Sequence, residues 1–211
     1  MKLTWLGHSC FRIESKDAAI ITDPYEAGSV PGYRDLNETA DLILCSHEHS
    51  DHNGRAAVKL TGEKNNVFSI SEIDTFHDPE GGRLRGTNKM FVISDGDTKI
   101  AHLGDIGCAL TPDQISKLKG LDVLLIPVGG YFTIDAKQAK EIASQLSPKV
   151  IIPMHFRNDD FGTGYDVIGT VDEFASLYDN VTLESCSTFD TASIKADFSN
   201  KVVVLKPANV N

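Results

Sequence analysis

The sequence predicts a mixed α/β (α+β) fold, two β-sheets packed on each other with helices outside. Two observations predict it: short strand-like runs fill the first half, and buried apolar runs alternate with helical patterns in the second. A third bounds the size. At 211 residues, with no linker, repeat or low-complexity stretch, residues 1–211 are expected to form a single layered domain.

The elements follow in order. Residues 2–6, 11–14 and 18–22 read as strands separated by polar or glycine-containing turns. Residues 41–46 form a compact apolar run suited to a strand buried on both faces, and 53–60 read as a short helix despite Gly54. Strands are expected at 66–70, 90–94 and 99–103; Asp95-Gly96 joins the last two as a hairpin, glycine supplying the positive φ. Thr111-Pro112-Asp113 has the cap, proline and acidic first turn of a helix closed by Gly120. Strands at 121–128 and 150–155 flank an amphipathic helix at 135–146. Thr170 caps a helix carrying Val171, Phe174 and Leu177, and 201–205 is the last strand.

Composition removes several classes of function. Twenty Lys and Arg against thirty Asp and Glu leave a net charge of −10, which disfavours nucleic acid or an anionic membrane as partner. No apolar run approaches a membrane span, and the first residues lack a signal peptide's apolar core, so a cytoplasmic location is expected. Cys10, Cys45, Cys108 and Cys186 show no paired spacing and are expected to be free thiols. Gly81 to Gly86 has the spacing of a phosphate loop but Thr87 where lysine is required. Gly162-Thr163-Gly164 lacks the third glycine of a dinucleotide fold, and no G-x-S-x-G elbow is present.

The informative residues are the seven histidines. Ser46-His47-Glu48-His49-Ser50-Asp51-His52-Asn53 follows a buried strand and carries three imidazoles and a carboxylate, donors that suit Zn²⁺ and related dications. On an extended segment His47 and His49 project to one side, whereas adjacent Asp51 and His52 are expected to diverge, which favours two ions over one. His155 ends a core strand and is a further candidate ligand. His77, in a turn-rich loop, is a ligand or a loop residue on equal terms. Strand parity sets His102 with Ile100 and Asp105 with Leu103, so the two should not face one ion. Asp105 beside Gly104 is the better ligand, and His102 is expected to support or to pack. His8 is either supporting or structural.

His47-x-His49-x-Asp51-His52 resembles the signature of the metallo-β-lactamase-fold superfamily. Trp5-Leu6-Gly7-His8, Thr22-Asp23-Pro24, His102-x-Gly104-Asp105, Ile126-Pro127-Val128-Gly129 and Pro153-Met154-His155 are similar to its ascorbate-6-phosphate-lactonase-like (UlaG-like) and N-acylphosphatidylethanolamine phospholipase-D-like branch. The resemblance implies a four-layer αββα sandwich. It implies one ion on His47, His49 and His77, a second on Asp51, His52 and His155, and Asp105 between them. Asp23 would support the metal loop, with His8 and His102 as further orienting candidates. The ions would be zinc first, with manganese or iron as alternatives.

The activity so implied is hydrolysis of a small ester, lactone or phosphoester by a hydroxide shared between the ions, with Asp51 taking the proton. A small-molecule phosphodiesterase, with Arg83, Arg85 or Arg157 as anion contacts, is the second reading, and a non-catalytic metal-containing scaffold the third. Tyr131 and Phe132 either wall the pocket or pack on the helix at Asp135. The partner is a small molecule; homo-oligomerisation is left open.

Overall fold

A computed structural model describes residues 1–63 and 66–210. Its first sheet takes β1 (Lys2–Gly7), β2 (Cys10–Ser15), β3 (Ala18–Thr22), β5 (Leu42–Leu44) and β13 (Thr188–Asp190), in the order β13-β1-β2-β3-β5. Between β3 and β5 runs the short β4 (Glu38–Ala40), which pairs in parallel with β6 (Val58–Leu60) as a separate ribbon.

The second sheet takes β7 (Ser69–Phe76), β8 (Thr87–Ser94), β9 (Lys99–His102), β10 (Val123–Pro127), β11 (Val150–Met154), β12 (Val181–Leu183) and β14 (Lys201–Val204). Their order is β12-β14-β11-β10-β9-β8-β7. From β9 to β12 the neighbours are parallel, and α1 (Pro112–Lys117), α2 (Ala136–Leu146) and α3 (Val171–Ala175) lie in the crossovers. Parallel strands need such crossovers, which accounts for the strand–helix alternation of the second half.

Alternation along the first strands divides their side chains between two cores. Leu3, Trp5, Phe11, Ile13 and Ile20 pack into one cluster with Met90, Ile93, Ile100 and Leu125 of the second sheet. Leu6, Cys10, Ala19 and Ile21 face a second cluster containing Tyr25, Val30, Tyr33 and Leu36, so the outer face of the first sheet is covered by the irregular chain that carries them. Helix α2 buries Ala136, Ala139, Ile142, Ala143 and Leu146, the apolar stripe that its sequence spacing predicts. Capping boxes at Thr111–Gln114 and Asp135–Gln138 start α1 and α2, each satisfying two otherwise orphaned backbone donors.

Several boundaries differ from expectation. Residues 53–60 are a single 3-10 turn (Arg55–Ala57) followed by β6. Gly54 is pinned against the Tyr25 backbone, where a Cβ would come within 2.4 Å, and Val58 turns inward to pair with Glu38. The strand expected at 66–70 begins at Ser69 and runs to Phe76, its register set by pairing with β8 rather than by its weak apolar alternation. α1 ends before Leu118 instead of at Gly120, and Leu177 lies beyond α3, which Thr170 precedes without a side-chain cap bond. β4, β12 and β13 are short strands with no counterpart in the sequence reading. The four cysteines are free thiols. Among the described residues no helix is long and apolar enough to cross a membrane.

Candidate metal centre

Strand ends from both sheets deliver the histidines. In open parallel sheets the crevice at the carboxyl ends of the strands is where ligands bind, because the loops there leave a packed scaffold. At that edge β9 is followed by Gly104-Asp105 and β11 by His155; from the first sheet β1 is followed by His8, β3 by Asp23 and β5 by the loop that opens at Ser46.

Asp105 is the hub. Its Oδ2 lies 3.1 Å from Nε2 of His52, 3.1 Å from Nε2 of His155, 3.5 Å from Nε2 of His77 and 4.0 Å from Nε2 of His47. The carboxylate is placed by Asn88, which donates from Nδ2 to the Leu103 carbonyl and accepts from the Asp105 N–H. Gly104, at φ +54°, makes that turn; a Cβ there would stand 2.4 Å from Asn88 Oδ1 and 2.5 Å from Ser46 Cβ. β9 ends at His102, so the direction of Asp105 is set by this turn and not by strand parity.

His102 is committed elsewhere. Its Nε2 donates to the Ser9 carbonyl and its Nδ1 accepts from the Gly104 N–H, which leaves no nitrogen for an ion.

Asp23, fully buried at the end of β3, organises the histidine loop. Its Oδ1 accepts from the Ser46 N–H at 2.7 Å; its Oδ2 accepts from Ser46 Oγ at 2.6 Å and from His52 Nδ1 at 2.8 Å. Ser46 Oγ, its proton given to Asp23, accepts from His47 Nδ1 at 2.9 Å. Both rings are thereby held as Nδ1–H tautomers with bare Nε2 atoms facing Asp105, the arrangement in which an outer carboxylate orients ligating imidazoles.

The loop 46–52 is bent, with the His52 N–H bonded to the His49 carbonyl. That turn corrects the expectation that Asp51 and His52 diverge: Asp51 Oδ2 and His52 Nε2 are 3.7 Å apart and face the same side. Among the described residues the donor atoms fall into three overlapping groups, His47–His49–His77, His8–Asp51–His52–His155 and His47–His52–Asp105, each within 4.8 Å. His77 and His155 are therefore both brought to the cluster, and His8 reaches it as well.

The electrostatics ask for positive charge. Burial by itself raises the Asp105 pKa, but the surrounding His155 and His52 hold it well below the ordinary carboxylate range; Asp51 and Asp23 are likewise depressed against their burial. Desolvation pulls His47 down to about 3 and His8 to about 4, and lowers His77, so these rings are neutral at pH 7. His52 is the exception: burial lowers it, yet Asp105 and Asp23 drive it far upward. The buried Asp23 and Asp105 and the half-buried Asp51 make the pocket anionic. Among the described residues His155 Nδ1, His77 Nδ1 and Asp105 Oδ1 are buried without a hydrogen-bond partner, and the Nε2 atoms of His52 and His155 have only the shared Asp105 Oδ2 within 3.1 Å. Unpartnered buried polar atoms are costly, and here most belong to imidazole and carboxylate groups converging on one pocket, a donor set that fits divalent metal.

Beside His47 and His49 opens a cleft of about 940 Å³ running between β5 and β7, lined also by Arg55, Phe76, Arg85 and Lys89. Of the three arginines considered from sequence, only Arg85 lines it. Arg83 pairs with Glu80, and Arg157 is spent on Asp159 and the carbonyls of Asp166 and Ile168. Arg85 donates to the Tyr131 carbonyl and lies over the Phe132 ring. Its loop is shaped by the buried Asp78, whose oxygens accept from the N–H groups of Glu80, Gly82, Leu84 and Arg85. Phe132 stacks edge-on against Tyr131 and Tyr165; Tyr165 reaches Asp51 and His8, whereas Tyr131 is exposed. The local sequence around Tyr165, Asn88 and Asp78 does not mark them as site residues. The Asp-Pro-Glu-Gly-Gly run at 78–82 was the one available signal, as a turn in which aspartate bonds its own following backbone.

Residues 2–155 match the Beta-lactamase superfamily domain. A UPF0173 metal-dependent hydrolase of Caldivirga maquilingensis is 31% identical over 186 residues, covering 73% of this chain and 81% of its own. The crystal structure of a metallo-β-lactamase superfamily protein from Thermotoga maritima superposes with TM-score 0.75 at 35% identity, covering 97% of both chains. The metallo hydrolase Igni18 of Ignicoccus hospitalis, 21% identical, shares the fold at TM-score 0.65, covering 98% of this chain and 95% of its own.

Proposed function

Since the chain belongs to the metallo-β-lactamase superfamily of metal-dependent hydrolases, we propose that it is a binuclear enzyme acting on a small ester, lactone or phosphoester. His47, His49 and His77 would hold one dication, zinc first among the candidates, and Asp51, His52 and His155 a second, with Asp105 serving both. The observation that carries this reading is the convergence of four imidazole Nε2 atoms on Asp105 Oδ2 within 4.0 Å. A structural zinc site closes with four ligands, and seven candidate donors exceed that need.

Such a pair of ions, when bound, supplies an acidified water and an electrophile for the substrate's carbonyl or phosphoryl oxygen. The chain's own groups do the rest. Asp51, half-buried beside His8 and His52, would take a proton from the attacking water. Asp23 keeps His47 and His52 in the tautomers that ligation requires. Phe132 and Tyr165 screen one flank from solvent. Arg85, facing the cleft with no carboxylate within 4.0 Å among the described residues, would contact a polar or anionic end of the substrate.

Replacement of His49 or Asp51 by Ala is expected to abolish hydrolysis in a panel of lactones, aryl esters and bis-aryl phosphodiesters. Unchanged turnover in both variants would sink the proposal. Preferential turnover of the phosphodiester would shift the reading to a small-molecule phosphodiesterase.

A further inference from the structure

Tyr165 is more than a hundred residues from the histidine loop, yet its hydroxyl reaches the same carboxylate. Tyr165 Oη lies 2.8 Å from the Ser29 carbonyl oxygen and 3.3 Å from Asp51 Oδ2. His8 Nε2 stands 3.3 Å from that same Oδ2. Among the described residues no hydrogen bond reaches Asp51 Oδ1. The two donors meet edge-on, with ring centroids 5.7 Å apart, and Tyr165 is braced from behind by Phe132 at 5.7 Å.

A carboxylate on a loop turns easily about its terminal torsion, which is broad and two-fold. Two donors on one oxygen stop that rotation. They fix the plane of the group. The single tyrosine proton has the Ser29 carbonyl as its nearer acceptor at 2.8 Å and Asp51 Oδ2 as a longer one at 3.3 Å, so one hydroxyl ties the chain near Ser29 to the metal loop. His8 can serve as the partner donor because its backbone, at φ +53°, turns the ring back under the site, where the His8 carbonyl also accepts from the His155 N–H.

From this geometry we infer that Tyr165 is a positioning residue for Asp51. With His8 it holds Oδ2, the oxygen that lies 3.7 Å from His52 Nε2, and so keeps the Asp51 carboxylate turned toward the second ion's ligands. The inference rests on the two-ion reading above and deepens it. A tyrosine that only packed would need neither the Oη–Oδ2 contact nor a second donor on the same oxygen.

The test uses the full chain and the metal alone. Zinc is titrated into metal-free protein in competition with a chromophoric chelator, and the visible spectrum of the Co²⁺-loaded protein is recorded beside it. Tyr165→Phe is expected to weaken the second zinc by about 10-fold, the usual scale for losing an outer hydrogen bond to a ligand. It should leave the first within about twofold and shift the Co²⁺ d–d bands. His8→Asn, which tolerates the positive φ, should act in the same direction. Tyr178→Phe, which removes a buried tyrosine hydroxyl that has no hydrogen-bond partner among the described residues and packs on Phe174, should move neither readout.

A Tyr165→Phe protein with wild-type zinc affinities and an unshifted cobalt spectrum, even one of lower melting temperature, would overturn the inference. A wild type that takes up a single ion would count against the two-ion reading instead. The cobalt spectrum of the singly loaded variant would still decide the role of Tyr165.

Discussion

Asp23 touches no ion in the proposed centre, yet it should control one. In Asp23→Asn the backbone is preserved, since asparagine accepts the φ of +40° at this position better than most side chains. The amide oxygen can still accept from the Ser46 N–H in place of Oδ1. The NH₂ group then replaces Oδ2 and points at two donors, Ser46 Oγ and His52 Nδ1. Ser46 can rotate to accept instead; His52 can escape only by moving its proton to Nε2. That removes the lone pair aimed at Asp105 and the second ion. Loss of such a partner costs about 10- to 100-fold in metal affinity, or about 1.4 to 2.8 kcal/mol. The assay is chelator competition for zinc, with the His52 tautomer read from long-range ¹H–¹⁵N correlations. Zinc affinity within twofold of wild type and a retained Nδ1–H tautomer would refute the reasoning.

Three further outcomes follow from the same geometry. Gly104→Ala places a Cβ 2.4 Å from Asn88 Oδ1 at a positive φ; a markedly lower melting temperature and weaker metal loading are expected, and calorimetry with elemental analysis checks both. In metal-free protein, His8, His47, His77 and His102 have folded pKa values below the unfolded 6.5. The unfolded chain therefore binds more protons between about pH 4 and 6.5, and the midpoint of denaturant unfolding should fall as pH drops through that window. His52, shifted upward, opposes this with stability present below pH 6.5 and lost at higher pH; a midpoint that rose on acidification would show that it dominates. Arg85→Ala is expected to raise KM about 10-fold for anionic esters while leaving neutral ones within twofold, on the scale of one charge-assisted hydrogen bond. Equal effects on both would remove Arg85 from substrate recognition.

The sequence made the sandwich legible where patterning was strong. The buried runs of β10 and β11, the capping boxes of α1 and α2 and the stripe of α2 are local signals, and the structure carries them. It obscured what depends on partners far away. β4 and β13 are three-residue strands whose existence rests on pairing with Val58–Leu60 and with β1. The turn that sets Asp51 beside His52 is closed by a backbone bond from His52 to His49, which no alternation rule encodes. In the site, dense local chemistry at 46–53 was readable, whereas Asn88 and Tyr165 sit in unremarkable sequence and act through contacts across 17 and 114 positions.

The proposed centre holds two dications. Elemental analysis of protein purified without chelator, repeated on His77→Ala and His155→Ala, tests it most directly. Two ions per wild-type chain and one per chain in each variant are expected, because each substitution strips a different site. One ion in the wild type, unchanged by one of the substitutions, or no ion at all, would contradict it.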